Sequence, residues 1–179
     1  MKKILIVVDM QKDFIDGALR TPEAAAIVPA VVRKIESYAA AGDIVVVTRD
    51  THQGNYLDTQ EGKFLPVPHC LENTEGWQLD ARVTAALPND AVYFNKPTFG
   101  STALVDFVGT YVKEFGETKV QVELVGLCTD ICVVSNALLL KAFYYEMPIS
   151  LDSACCAGVT HDSHKAALTT MRSCQIQVE

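Results

Sequence analysis

Cys132 closes the run Gly126-Leu127-Cys128-Thr129-Asp130-Ile131-Cys132, where an apolar stretch gives way to a helix-opening Thr-Asp pair. With Thr129 as N-cap, Cys132 is the third helical residue, beside backbone N–H groups without helical partners and at the positive end of the helix dipole. Such a place lowers a thiol pKa, and the same N–H groups can hold an oxyanion. Asp9 ends the apolar run Ile4 to Val8, and Lys96 ends another apolar run before Pro97. A thiol, a carboxylate and an ammonium at strand ends make a nucleophile, a proton carrier and an orienting charge. Each has a plainer role open to it: a packed cysteine, a loop acid, a solvated lysine. A second group lies in one polar stretch, where Asp50-Thr51-His52 is followed by Pro68-His69, with Glu61 between them. One oxygen and two imidazoles, with Glu61 as a fourth protein ligand, suit a first-row divalent ion with open positions. Solvated loop histidines are the alternative. His161 and His164 read as surface residues of the last helix, and Cys155-Cys156 as packing after the fifth strand.

These residues need a scaffold that brings strand ends together. Short apolar runs without alternation occur at 3–8, 44–48, 91–94, 120–126, 149–151 and 176–178. Runs of that kind suit strands covered on both faces. Thr21-Pro22-Glu23 opens a helix for which Gly42 serves as the stop, and Ser101 opens another that runs to Phe115 and Gly116. Thr129-Asp130 opens a third, and Thr160 caps a fourth that ends near Ser173. Strand–helix alternation predicts a single α/β domain over 1–179: an open, mainly parallel six-stranded sheet with helices on both faces. Residues 49–77 break the rhythm as a long loop rich in Gly, Pro, Asn and His, a length that is usually functional or disordered. In open α/β sheets ligands bind beyond the carboxyl ends of the strands. Asp9, Gln11, Asp13 and Phe14 follow the first strand, Asp50 and His52 the second, Lys96 the third and Cys132 the fourth, so one rim collects them.

Composition narrows the remaining classes. The 179 residues are 49% hydrophobic and 21% charged, which excludes disorder, collagen and coiled coil. Fifteen basic against 22 acidic side chains give a formal charge of −7, which disfavours nucleic acid and anionic membrane as partners. Lys2-Lys3 and the apolar run after them resemble an export signal, but Asp9 ends the run too early for one. The six cysteines show no Cys-x-x-Cys pair, which fits free thiols in a reducing cytosol.

The motifs Asp9-Met10-Gln11-Lys12-Asp13-Phe14, Thr48-Arg49-Asp50-Thr51-His52, Pro68-His69-Cys70, Lys96-Pro97, Gly126 to Val133 and Met171-Arg172-Ser173-Cys174 come in order along the whole chain. Together they resemble the isochorismatase-like cysteine hydrolases, and within them the nicotinamidases (pyrazinamidases). The resemblance implies a triad of Asp9, Lys96 and Cys132, and an oxyanion hole from the N–H groups of Cys128 and Cys132 after a cis Leu127–Cys128 bond. It implies one divalent ion, zinc first and manganese or iron otherwise, on Asp50, His52 and His69, with Glu61 as the fourth ligand. The implied substrate is a small carboxamide, nicotinamide or pyrazinamide, in a cytoplasmic enzyme that forms homo-oligomers. Thr51 and Pro66 stand where relatives commonly carry aromatics, which leaves the ring wall to Phe14, with Phe99 or Trp77 as further candidates; Cys128 stands where relatives more often carry Ala. The alternatives are another hydrolase of this fold, such as an isochorismatase or a carbamoyl-amide hydrolase, and a non-catalytic metal or redox sensor using Cys128 and Cys132.

Overall fold

The computed structural model describes all 179 residues. The strands are β1 (Lys2–Val8), β2 (Ile44–Asp50), β3 (Val92–Lys96), β4 (Val120–Leu127), β5 (Ile149–Ala157) and β6 (Gln177–Val178). All pair in parallel in the order β3-β2-β1-β4-β5-β6. The helices are α1 (Lys12–Ile15), α2 (Pro22–Ala40), α3 (Gln60–Phe64), α4 (Ala81–Ala86), α5 (Thr102–Phe115), α6 (Val134–Phe143) and α7 (His161–Ser173). None is long and apolar enough to cross a membrane.

The unbroken apolar runs follow from the two covered faces. In β1, Ile4, Ile6 and Val8 join a core with Leu104, Val108, Val133 and Met171, while Leu5 and Val7 join one with Val28, Val31, Ile35 and Val83. The chain builds β1, β2 and β3 outward on one side, then returns to place β4 on the other side of β1. Strand order therefore reverses between β1 and β4, the place where such sheets open a crevice at their carboxyl ends. Asp9 leaves β1 there, and Cys132 follows β4.

Several expected bounds shift. The third strand runs on to Lys96, where it lies in register with Asp50 of β2. β5 continues to Ala157, so Cys155 and Cys156 lie within the strand rather than after it and pack into opposite cores. The loop 49–77 carries a 3₁₀ turn (Tyr56–Asp58) and α3, while α1 and α4 lie outside it. These pieces are too short to leave a helical period in the sequence. The third helix does not open with an N-cap at Thr129: residues Thr129–Val133 form a π turn that leads into α6.

Gly126 makes the closest approach across the switch point. Its φ is +117°, and a Cβ there would stand 2.1 Å from the Val8 carbonyl oxygen. A backbone outlier of this kind costs an L-residue about 1–3 kcal/mol before the clash is added. Gly126→Ala is expected to lower Tm by about 10 °C, given about 2–4 °C per kcal/mol at this chain length. A thermal melt within 2 °C of wild type, roughly the shift of 1 kcal/mol, would contradict this packing.

Candidate active site

Asp9 is held by Thr48 of β2, the neighbour of β1. Its backbone takes φ of +48°, its N–H donates to the Thr48 carbonyl (3.2 Å), and the Thr48 hydroxyl donates to Oδ1 (2.7 Å). The carboxylate is fully buried. Lys96 Nζ lies 2.6 Å from Oδ2, although no donor is aligned on that oxygen. The same Nζ is 3.3 Å from Cys132 Sγ and 3.5 Å from Asp50 Oδ1. Lys96 is 1% exposed, so its charge has these groups in place of water.

The titration of these groups follows from that crowding. Burial opposes the charge on Lys96, but Asp9, Cys132 and Asp50 outweigh it and hold the ammonium above its usual range. Burial raises the Asp9 carboxyl, with Lys96 pulling the other way. Burial and the Asp9 carboxylate push the Cys132 thiol well up, against the pull of Lys96. The expected depression of the thiol pKa by a helix start is therefore overridden. At rest Cys132 is a thiol, with the Lys96 ammonium 3.3 Å from its sulfur and the Asp9 carboxylate among the charges that act on it. A base beside the sulfur, rather than a standing thiolate, is what this arrangement provides.

The second group assembles from β2 and the loop after it. His52 pairs in parallel with Leu71: its N–H donates to the Cys70 carbonyl (3.0 Å), and Glu72 N–H donates to the His52 carbonyl (2.8 Å). That brings His69 beside His52, with ring centroids 4.9 Å apart. Asp50 Oδ2 lies 3.0 Å from His52 Nε2 and 3.4 Å from His69 Nε2, while Glu61 Oε1 lies 3.5 and 3.8 Å from the same nitrogens. The four ligand atoms fall within 4.8 Å of one another. Ligands about 2.1 Å from a common ion in tetrahedral array stand about 3.4 Å apart, so the spacing fits a divalent cation. His69 Nδ1 is 2.9 Å from the Val67 carbonyl, which can only accept; this puts the proton on Nδ1 and leaves Nε2 free to ligate. Burial opposes ionisation of Asp50, but His52, His69 and Lys96 hold its carboxyl far below the usual range.

Both groups open into one cavity of about 730 Å³, lined among others by Phe14, His52, Glu61, His69, Cys128 and Cys132. Phe14 sets its ring 5.6 Å from that of His69. Phe99 and Phe64 also line the space. Trp77 does not: its indole N–H donates to Thr51 Oγ1 (2.9 Å), and the Arg49 guanidinium covers its ring at 3.9 Å. Leu127–Cys128 is a cis peptide. Asp13 holds loops together, accepting from Cys70 N–H (2.7 Å) and Ala18 N–H (3.2 Å).

Sequence reasoning places Gln11 on the rim without a role and misses Tyr56 and Asn136. The Gln11 side chain accepts from Asp50 N–H (2.7 Å) and donates to the Asp50 and Trp77 carbonyls (2.8 and 2.9 Å), clamping one ligand's backbone. Tyr56, buried, sets its ring against both His52 and His69. Asn136 donates to the Cys132 and Phe99 carbonyls (2.8 and 3.1 Å) and accepts from Ser101 N–H (3.0 Å). For Asn136 the available signal is a polar residue one helical turn after the cysteine.

Residues 3–179 match the isochorismatase domain. The chain belongs to the isochorismatase family. It is 30% identical to the nicotinamidase/pyrazinamidase of Mycobacterium tuberculosis, over 98% of this chain and 97% of that one. Among solved structures, the pyrazinamidase of Pyrococcus horikoshii in complex with zinc superposes with a TM-score of 0.80 at 30% identity, covering 100% of this chain and 99% of that one. The N-carbamoylsarcosine amidase of Thermoplasma acidophilum, another amidase of this fold, superposes at 0.78 and 26% identity, covering 100% and 96%. The six-stranded parallel architecture expected from the sequence is the one this isochorismatase-family chain adopts.

Proposed function

We propose that this protein is a nicotinamidase, converting nicotinamide to nicotinic acid and ammonia and acting on pyrazinamide as well. The observation that carries the reading is Lys96, whose Nζ lies within 3.5 Å of Asp9, Asp50 and Cys132 and so joins a nucleophile to a cluster of metal-ligating atoms. Isochorismatase-type or carbamoyl-amide hydrolysis leaves the cluster without a purpose, as does redox sensing by Cys128 and Cys132 leave Asp9 and Lys96.

The Cys132 thiol passes its proton to Asp9 Oδ2 as the sulfur attacks the carboxamide carbon. The oxyanion that forms takes hydrogen bonds from the N–H groups of Cys128 and Cys132. Asp9 then gives the proton to the amide nitrogen, the C–N bond breaks, and ammonia leaves a thioester on Cys132. Water, deprotonated by Asp9, opens the thioester to nicotinic acid, and the proton returns to the sulfur. Lys96 keeps the carboxylate ionised and steadies the sulfur as its charge develops. Phe14 packs against the ring. Asp50, His52, Glu61 and His69 would hold a divalent cation, zinc by preference and manganese or iron otherwise, and that ion would supply Lewis acidity to anchor the pyridine nitrogen.

His52→Ala is expected to lower kcat/KM by about 10²-fold, since a substrate misplaced by about 1 Å loses that much. Its Cys132 should still react with iodoacetamide close to the wild-type rate, because Asp9 and Lys96, whose opposed charges act on the thiol, both remain in place. Loss of thiol reactivity with substrate affinity intact would contradict the anchoring role. The reading as a whole is tested by supplying metal-loaded protein with nicotinamide, benzamide and N-carbamoylsarcosine and measuring ammonia. Turnover of nicotinamide, with little of benzamide, is expected; turnover of N-carbamoylsarcosine alone would overturn it.

A further inference from the structure

The π turn that carries Cys132 is tied to α7 and to the loop leaving β5 by contacts outside the chemistry described so far. Thr129 is fully buried, and its hydroxyl lies 2.8 Å from His164 Nδ1. One residue on, Asp130 Oδ1 accepts from Val159 N–H at 3.0 Å. The sequence suggested that Thr129 caps its own helix and that His164 is a surface residue; instead the hydroxyl is spent on a half-buried imidazole. His164 has little freedom. It stands in the first turn of α7, whose start is fixed by reciprocal bonds between Thr160 and Ser163. A Cβ on Gly158 would come within 2.9 Å of His164 Cβ, so the loop from β5 packs directly on the imidazole's stem. Burial and the nearby His161 lower the His164 pKa, with Asp130 opposing, so the ring is neutral at neutral pH and free to exchange a hydrogen bond with a hydroxyl.

We propose that His164 is a positioning residue for the nucleophile turn: through Thr129 it sets the orientation of the backbone between Cys128 and Cys132. Thr129 is the first residue after Cys128, and its carbonyl accepts from Val134 N–H at the end of the π turn. A rotation of Thr129 therefore moves both the Cys128 N–H and the turn that carries the sulfur. Asn136 holds the far end of the turn through the Cys132 carbonyl. His164 holds the near end. This role rests on the acyl-transfer chemistry proposed above, but not on the identity of the ring.

The test uses two acyl donors. Nicotinamide reports the whole reaction. The ester 4-nitrophenyl acetate acylates a cysteine with loss of 4-nitrophenolate and needs the oxyanion contacts but no ring recognition; the rate of Cys132→Ala protein is subtracted. His164→Ala is expected to lower kcat for nicotinamide and the Cys132 acylation rate about tenfold each, with KM for nicotinamide nearly unchanged. His164→Asn, which keeps a hydrogen-bonding group near the position of Nδ1, should recover most of the loss. Thr129→Val should lose as much as His164→Ala, and the double variant no more than the worse single one, because both remove one shared bond. Thr129→Ser, which keeps the hydroxyl, covers the case in which Thr129→Val does not fold. Thr160→Ala removes the cap of the same helix and should lower Tm without lowering kcat. If nicotinamide is not hydrolysed by wild type while acylation by the ester falls in His164→Ala, the substrate reading fails and the positioning role stands. Wild-type rates for both donors in His164→Ala, additive losses in the double variant, or an equal kcat loss in Thr160→Ala would overturn it.

Discussion

Cys132→Ala protein is expected to release no measurable ammonia from nicotinamide, while Cys70→Ala, Cys155→Ala, Cys156→Ala and Cys174→Ala retain most of the wild-type rate. The six thiols are all free, yet their surroundings differ. Cys132 Sγ is 3.3 Å from the Lys96 ammonium, which in turn lies 2.6 Å from Asp9 Oδ2. Cys70, Cys155 and Cys156 are packed into the apolar cores, where burial pushes their thiols up; Cys155 has the Asp152 carboxylate at 3.5 Å but does not line the cavity. Removing such a sulfur leaves a small void, which costs stability more than chemistry. Cys174 lies at the end of α7. Steady-state ammonia assays on the five proteins decide the point; turnover by Cys132→Ala above that of a heat-denatured control would remove the sulfur from the reaction.

Asp9→Asn should bind nicotinamide and lose turnover by about 10²–10⁴-fold, the usual worth of general acid–base catalysis. An amide can still accept from the Thr48 hydroxyl, but it can neither take the thiol proton nor hand it to ammonia. The substitution also has a second, opposite consequence. The Asp9 carboxylate is one of the charges that hold the Cys132 thiol up, while Lys96 pulls it down. With the carboxylate gone and the ammonium left, the thiol pKa falls and more thiolate stands at neutral pH. Alkylation by iodoacetamide should therefore become faster as turnover collapses. Slower alkylation, or near-normal turnover, would assign the proton to another group. The buried Lys96 keeps Asp50 at 3.5 Å as a counter-charge, so the variant should fold with a lowered Tm.

The sheet was legible because its strands are buried on both faces and its turns are punctuated. Thr21, Ser101 and Thr160 each accept from a backbone N–H in the first turn of α2, α5 and α7, as their positions suggested. Strand ends then placed Asp9, Asp50, Lys96 and Cys132 on one rim without any distance being known. What was illegible depends on contacts between segments far apart in the chain. Gln11 clamps Asp50 from 39 residues away, and nothing in a lone glutamine after a strand announces it. The titration of Cys132 is not legible in a helix start, because complete burial beside a carboxylate outweighs the helix and raises the thiol. Local spacing suits Thr129 as a cap, whereas a histidine 35 residues on claims the hydroxyl. Trp77 was open as a ring wall until its indole was seen to face Thr51 and Arg49.

The central claim is that nicotinamide passes through a thioester on Cys132. A nucleophile that competes with water tests it without requiring the intermediate to accumulate. With hydroxylamine present, the thioester should partition, yielding nicotinoyl hydroxamate at the expense of nicotinic acid while ammonia continues to be released. The hydroxamate fraction should rise with hydroxylamine concentration and be absent with Cys132→Ala protein. Nicotinic acid formed at an undiminished rate with no hydroxamate would mean that water attacks the amide directly, and would contradict the account.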